Sequence, residues 1–352
     1  MNHKKLSQLN LVQFSKTLFH RSSLNTFILS VLSVFALQSL WLNDSVAKPK
    51  AEQTTRLDQA QQKAQKAAVP HPFFWDVKGP NGEIAHLMGT VHVPDERWAL
   101  LPKDLLADLD RADVVYGELD LTEKNTMNTE IMKVALLSNG QTLEKLIGER
   151  LYQKLDRYLQ TKGKSVAFMN GFHPKIVEMT LGLLDVMPLL LSGKPVLDEW
   201  LLQRAKNAGI RTAGVETIQE QVNALFFGTI EDAKTSLEFT IDTLSKKEAQ
   251  GIKPFEVLFK AYFTGEEAQV LKTIEDELKG APASQFKAIE QLLTVRNHRM
   301  ADRIIERLKQ APKQRQVFAF GVAHFVGDEG VVSLLRKQGF TVNRRYAPKT
   351  NN

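Results

Sequence analysis

The chain has 352 residues and a formal net charge of +6, half of it within residues 1–47, where Lys4, Lys5, Lys16 and Arg21 outweigh Asp44 by three. The rest holds 42 of the 46 basic and 39 of the 40 acidic side chains, too balanced and too scattered for a nucleic-acid footprint. There is no cysteine, which excludes disulfides, a thiol nucleophile and any thiolate-bound zinc or iron–sulfur site; a metal here needs histidine and carboxylate ligands.

Residues 1–47 read as a targeting segment. Basic residues precede the apolar, uncharged run Thr26–Leu42, and Ser45-Val46-Ala47 has the small residues of a signal-peptidase site. The run is short for a membrane span of ~20 residues, which favours cleavage after Ala47. The competing expectation is an uncleaved anchor through residues 26–42. Either way the protein is expected to be exported: periplasmic or secreted, or held at the inner membrane. Residues 48–69 read as a polar Gln/Lys/Ala spacer with no apolar face.

A folded domain is expected over residues 70–347, followed by a short polar tail, 348–352. Phe73–Val77, the turn Gly79-Pro80-Asn81-Gly82 and "EIAHLMG" predict a hairpin. Leu101, Leu105, Leu106 and Leu109 then recur at helical spacing, and Val114–Asp120 is a short β-rich run. Residues 123–190 read as amphipathic helices broken at Asn139-Gly140, Gly148 and "NGFHP". The apolar stretch Leu181–Leu191 suits either a core or a dimer face. Val196–Ile210 predicts a helix with Asp198 in its first turns, and Arg211–Glu216 a strand. Residues 217–310 are largely helical. Gln316–Val322 predicts a strand, "EGVVSLLRKQGF" a helix and "TVNRR" a last strand. Strands alternating with helices at both ends predict an α/β fold: a mostly parallel central sheet covered by helices, with a large helical insertion.

Two strands end alike, in Gly89-Thr90-Val91-His92 and Gly321-Val322-Ala323-His324. Their surroundings match in outline, as two related half-units in one sheet would. Glu118 and Glu216 stand at the ends of two further strands. Ligands of open α/β sheets bind outside the carboxyl ends of the strands, so these four residues are expected to share one rim. The glycines would allow a sharp exit and close approach to a ligand. Two imidazoles and two carboxylates can hold zinc, manganese, iron or cobalt with positions left open for water. A carboxylate not bound to the metal could act as general base.

Each residue also has a plainer explanation. A histidine after a strand is often a structural hydrogen-bonding residue, and Glu216 before Thr217 suits the cap of the following helix. The four together favour a site. Arg296 begins an apparent helix whose apolar face is Met300, Ile304, Ile305 and Leu308. The macrodipole disfavours a cation there, which marks Arg296 as a group to clamp a carboxylate or an oxyanion. His173 reads as turn chemistry and His86 as structural; His71 and His298 carry little signal. No nucleophile elbow, Walker sequence or His-Glu-x-x-His motif is present.

The segments "HLMGTVHVP", "LPKDLLADLDRADVVYGELD", "LDEWLLQRAKNAGIRTAGVETIQEQVNAL", "RNHRMADRI" and "VFAFGVAHFVGDEGVVSLLRKQGFTV" resemble the TraB/PrgY/GumN family, which includes the animal Tiki proteins. The resemblance runs from about Phe73 to Val342. It implies a core shared with erythromycin-esterase-like and ChaN-like proteins, and metal-dependent hydrolysis of the kind Tiki proteins perform on secreted proteins with manganese or cobalt. Residue by residue, it implies His92, Glu118 and His324 as metal ligands, Glu216 as a further ligand or base, and Arg296 as the family arginine. The C-terminal sequence is polar where Tiki proteins carry a membrane segment, so any membrane attachment is expected at the N-terminus.

The expectation is therefore an exported divalent-metal-dependent hydrolase acting on a peptide or protein, with Glu118, Glu216 and Arg296 in catalysis. The alternative is a non-catalytic peptide- or haem-binding envelope protein.

Overall fold

The computed structural model describes residues 69–349 apart from 121 and 122. The targeting segment, nearly all of the spacer and the last three residues of the tail lie outside the described residues. Six strands form one sheet: β1 (Phe73–Lys78), β2 (Ile84–Thr90), β3 (Val114–Gly117), β4 (Arg211–Gly214), β5 (Gln316–Gly321) and β6 (Thr341–Arg344), in the order β4-β3-β5-β2-β1-β6. β1 is antiparallel to both its neighbours; the β2–β5, β5–β3 and β3–β4 pairs are parallel. The expected mostly parallel sheet covered by helices is what forms. All residues of β3 and β5 are buried, as strands covered on both faces must be. The β1–β2 hairpin closes through Gly82 at φ 91°, and Asn81 donates from its backbone and its side chain to the Glu83 carboxylate.

The order of the strands places the site. From β2 the chain crosses over β5 to reach β3; from β5 it crosses over β2 and β1, the other way, to reach β6. Right-handed crossovers in opposite directions put the two connecting helices on opposite faces. The strand-order rule for open α/β sheets therefore points to the boundary of β2 and β5, the reversal point, as the place for a ligand. These are the two strands that end in Gly-x-x-His. The unequal crossings also mean that the two half-units are alike in sequence of elements and different in topology. The motifs are one residue out of step, with Gly89 opposite Phe320 and Thr90 opposite Gly321.

Two helical blocks interrupt the sheet, one between β3 and β4 and one between β4 and β5. The helices Leu143–Ile147, Glu149–Thr161 and Pro174–Leu183 pack on Ile230–Ala249 around a small second core that includes Leu151, Leu155, Leu181, Leu237 and Ile241. Left-handed backbone at Asn139, Gly140 and Gly148 separates the first of them, at the expected breaks. Leu183, Val186, Met187 and Leu190 are buried in the main core, which settles the apolar Leu181–Leu191 stretch largely as interior. Among the described residues no helix is long and apolar enough to cross a membrane.

Candidate functional site

β2 reaches the rim through a crowded strand end. A Cβ at Gly89 would lie 2.8 Å from the Phe73 Cβ and 3.1 Å from Val322 Cγ2. The Gly89 carbonyl accepts from the Tyr262 hydroxyl at 3.0 Å. Gly321 has φ −51° and Gly89 is not left-handed. β5 exits at Gly321 directly into the 3-10 turn Val322–His324, as a sharp exit requires, without left-handed backbone; Gly89 is small because side chains of the protein itself press against it.

Glu118, Glu216 and Arg296 meet beyond the carboxyl ends of β3 and β4, all buried. Arg296 Nη2 donates to Glu118 Oε2 at 2.7 Å and to Glu216 Oε2 at 2.6 Å, and Nε donates to the Glu216 carboxylate at 3.0 and 3.1 Å. Glu216 also accepts from Arg299 at 3.0 Å. Gln221 Nε2 bridges Glu118 and Glu216 at 3.2 and 3.3 Å. The Gly321 amide donates to Glu118 Oε1 at 3.0 Å, which ties the β3 carboxylate to the end of β5. Thr217 and Glu220 form the capping box of the helix Ile218–Leu225, so the capping explanation applies to Thr217 and not to Glu216.

The helix that carries Arg296 differs from the expected one. Arg296–Gln310 continues without a break from Ala283–Ile289 through a π-helical turn, Glu290–Val295. Arg296 is thus no helix N-terminus, and the macrodipole argument does not apply to it. Its Nη1 donates to the Leu292 carbonyl at 3.2 Å, a group of the π turn. Such turns often mark functional positions. Here Arg296 points to the carboxylates and the next residue, Asn297, to His324.

His324 Nδ1 lies 2.7 Å from Asn297 Oδ1, and its Nε2 lies 3.7 Å from Glu118 Oε1. His92 Nδ1 lies 2.6 Å from Asp198 Oδ2, in ion-pair contact rather than an aligned hydrogen bond. The Thr90 hydroxyl donates to the other oxygen of Asp198. Asp198, Gln221 and the role of Asn297 are what sequence reasoning missed. An acid in the first turn of a helix has an ordinary explanation, yet Val196 is the N-cap of Leu197–Asn207 and the Asp198 side chain turns to His92 instead. Nothing local distinguishes Gln221. His86, as expected, is structural: it stacks on Phe74 and contacts Asp76 at 3.0 Å. His173 caps the helix Pro174–Leu183.

The electrostatics follow the contacts. Burial would push the Glu118 carboxyl up, but Arg296, helped by His324 and His92, holds it below the ordinary glutamate range. Burial, reinforced by Arg296, pushes His324 down to about 4. Burial also opposes a charge on His92, but the Asp198 carboxylate outweighs it and raises the imidazole, while His92 lowers Asp198 against the effect of burial. His324 is therefore neutral at physiological pH and Glu118 ionised.

Among the described residues, no three histidine, aspartate or glutamate side chains are gathered closely enough to hold a metal ion as they stand. The donor chemistry nonetheless suits one. The Nε2 atoms of His92 and His324 are buried without a hydrogen-bond partner, and the Glu118 carboxylate stands beside the second of them. For the neutral His324, a buried unpaired acceptor costs about 1–3 kcal/mol, and a divalent cation would relieve it.

The chain is similar to proteins of known name over most of its length. It is 28% identical over 312 residues to the Danio rerio metalloprotease TIKI2, covering 77% of this chain and 60% of that protein. It is 26% identical over 317 residues to the human metalloprotease TIKI1, covering 78% and 62%. It is also 27% identical over 150 residues to the Shigella flexneri uncharacterized protein YbaP, covering 43% of this chain and 54% of that protein. The chain thus spans about three fifths of the length of the two metalloproteases. The model of the TraB/PrgY/gumN family matches residues 73–344, from the first residue of β1 to the last of β6, and with all six strands and the paired histidine motifs inside that match the chain belongs to this family.

Proposed function

We propose that this chain is an exported, divalent-metal-dependent hydrolase that cleaves a peptide or protein, with His92, His324 and Glu118 holding the ion. Manganese or cobalt is favoured over zinc or iron by the family. The observation that carries this reading is the pair of buried, unpartnered imidazole nitrogens, His92 Nε2 and His324 Nε2, at the ends of adjacent strands. The name metalloprotease carried by the relatives points the same way. Export rests on the composition of residues 1–47.

A divalent ion bound here would polarise a substrate carbonyl and lower the pKa of bound water. The chain's own residues supply the rest. Glu118, ionised at neutral pH and beside His324 Nε2, would serve as a ligand or as a proton acceptor in exchange for one of its present partners. Arg296 brings the positive charge that a developing oxyanion needs. Glu216 commits its carboxylate to Arg296, Arg299 and Gln221, which suits it to positioning Arg296 more than to moving a proton. One observation favours the non-catalytic reading: Arg296 already pairs with Glu118, so a metal would compete with a built-in cation.

Metal content by mass spectrometry decides between them, on wild type beside the His92→Ala/His324→Ala double variant, each reconstituted with manganese or cobalt. Near-stoichiometric metal lost in the variant, followed by metal-dependent peptide cleavage, is the expected result. No metal in the wild type refutes the hydrolase mechanism, and an uncleaved stoichiometric peptide complex, or haem absorbance on reconstitution, supports the binding reading.

A further inference from the structure

The hydrogen bonds around His324 determine where its proton sits. Asn297 Nδ2 donates to the Glu329 backbone carbonyl at 2.8 Å. A carbonyl only accepts, so the amide of Asn297 has one orientation, with Oδ1 turned to His324. Oδ1 is itself only an acceptor. The 2.7 Å contact with His324 Nδ1 therefore requires a proton on Nδ1. A neutral imidazole has one N–H, so Nε2 carries a bare lone pair. The surroundings of Nε2 agree. A protonated Nε2 would be drawn into a hydrogen bond by the Glu118 carboxylate, but Glu118 Oε1 stays 3.7 Å away and Nε2 has no partner. Asp198, held by Thr90, stands 2.6 Å from His92 Nδ1 in ion-pair contact, an arrangement that favours the charged imidazolium and fixes no single tautomer there. His92 Nε2 is likewise buried and unpartnered.

We propose that Asn297 is a positioning residue that keeps Nδ1 of His324 protonated, so that this imidazole offers Nε2 to whatever binds between β2 and β5. The placement of this proton stands on the hydrogen bonds alone; its consequence, ligation of a divalent cation through His324 Nε2, rests on the metal reading above. Partners of this kind orient a ligating imidazole, and their loss typically weakens metal binding about 10–100-fold. The π turn before Arg296 lets two consecutive residues serve both halves of the site, Arg296 the carboxylates and Asn297 the imidazole.

The test is nitrogen-15 NMR of the imidazoles in the metal-stripped full chain, with signals assigned through His92→Gln and His324→Gln. In wild type at neutral pH, His324 should show a protonated Nδ1 and a bare Nε2. The opposite tautomer, or a mixture, overturns the proposal without recourse to any variant. Asn297→Asp keeps an acceptor facing His324 and should leave Nδ1 protonated. Asn297→Ala removes the acceptor and should give a tautomer mixture, with Mn2+ or Co2+ affinity by calorimetry falling by about 10–100-fold. A merely structural role for Asn297 would leave the tautomer unchanged in Asn297→Ala, which also overturns the proposal. The inferred His324 tautomer in a wild type that binds neither ion would sink the metal reading and leave the proton placement established.

Discussion

Replacing Arg296 by methionine removes the cation that two buried carboxylates share. Arg296 is 1% exposed, Glu216 4% and Glu118 9%, so water cannot take over from the guanidinium. Removing one partner of a buried ion pair costs about 3–5 kcal/mol, because an uncompensated charge stays behind. Here two carboxylates are left facing each other, which argues for the upper end. With roughly 2–4 °C lost per kcal/mol in a domain of this scale, Arg296→Met should lower the melting temperature by about 6–20 °C. The pH dependence separates this cause from lost packing. In the wild type Glu118 is held below its ordinary range, so its contribution is fully present above the unfolded value near ~4.3 and is lost as pH falls through the lower folded value. Without Arg296, burial raises the same carboxyl instead. The variant is then penalised most at neutral pH, and acidification relieves it as the raised group takes up its proton. Thermal or urea melts of both proteins at pH 7.5 and pH 5 should show the gap narrowing toward acid. The triple variant Glu118→Gln/Glu216→Gln/Arg296→Met should recover much of the loss. A gap below about 1 kcal/mol at neutral pH, or one of the same size at both pH values, would refute the reasoning.

Gly89→Ala places a Cβ 2.8 Å from Phe73 and 3.1 Å from Val322; overpacking of this kind costs about 1–3 kcal/mol and should appear as a lower urea midpoint together with weaker metal binding, since the displaced strand end carries His92. His86→Ala loses its ring contact with Phe74 and its contact with Asp76, so chemical denaturation should show reduced stability while metal content stays at the wild-type level. Glu178→Ala leaves the Lys175 ammonium buried without its 2.9 Å partner and should cost about 3–5 kcal/mol by urea titration. Thr217→Ala breaks the capping box beside Glu216 and should cost about 1 kcal/mol, with the Arg296 ion pairs and the His324 tautomer unchanged by NMR.

The sheet, the helices and the rim were legible in the sequence because they follow from short-range patterns. The hairpin at residues 73–90, the helix at Lys103–Asp110 and the strand at Gln316–Gly321 each announce themselves in apolar spacing and turn residues. Arg296 was noticed through an argument that does not hold, since the helix continues through its N-terminal side. A π turn inserts one residue into a helix and leaves no mark in apolar periodicity. Asp198, Gln221 and Asn297 were not singled out because each lies on a helix where an acid or an amide has an ordinary surface role.

Local sequence by itself determined that His92, Glu118, Glu216 and His324 each stand just past the carboxyl end of a strand, because strand ends are set by neighbouring residues. Tertiary structure alone decided what each of them touches. The strand order put β2 beside β5 at the reversal of the sheet, and the chain between them, 225 residues from Val91 to Arg315, folded back to deliver Asp198 to one histidine and Asn297 to the other. Hydrogen bonds act over about 3 Å, and no local pattern records which residue from so far along the chain will arrive within that distance.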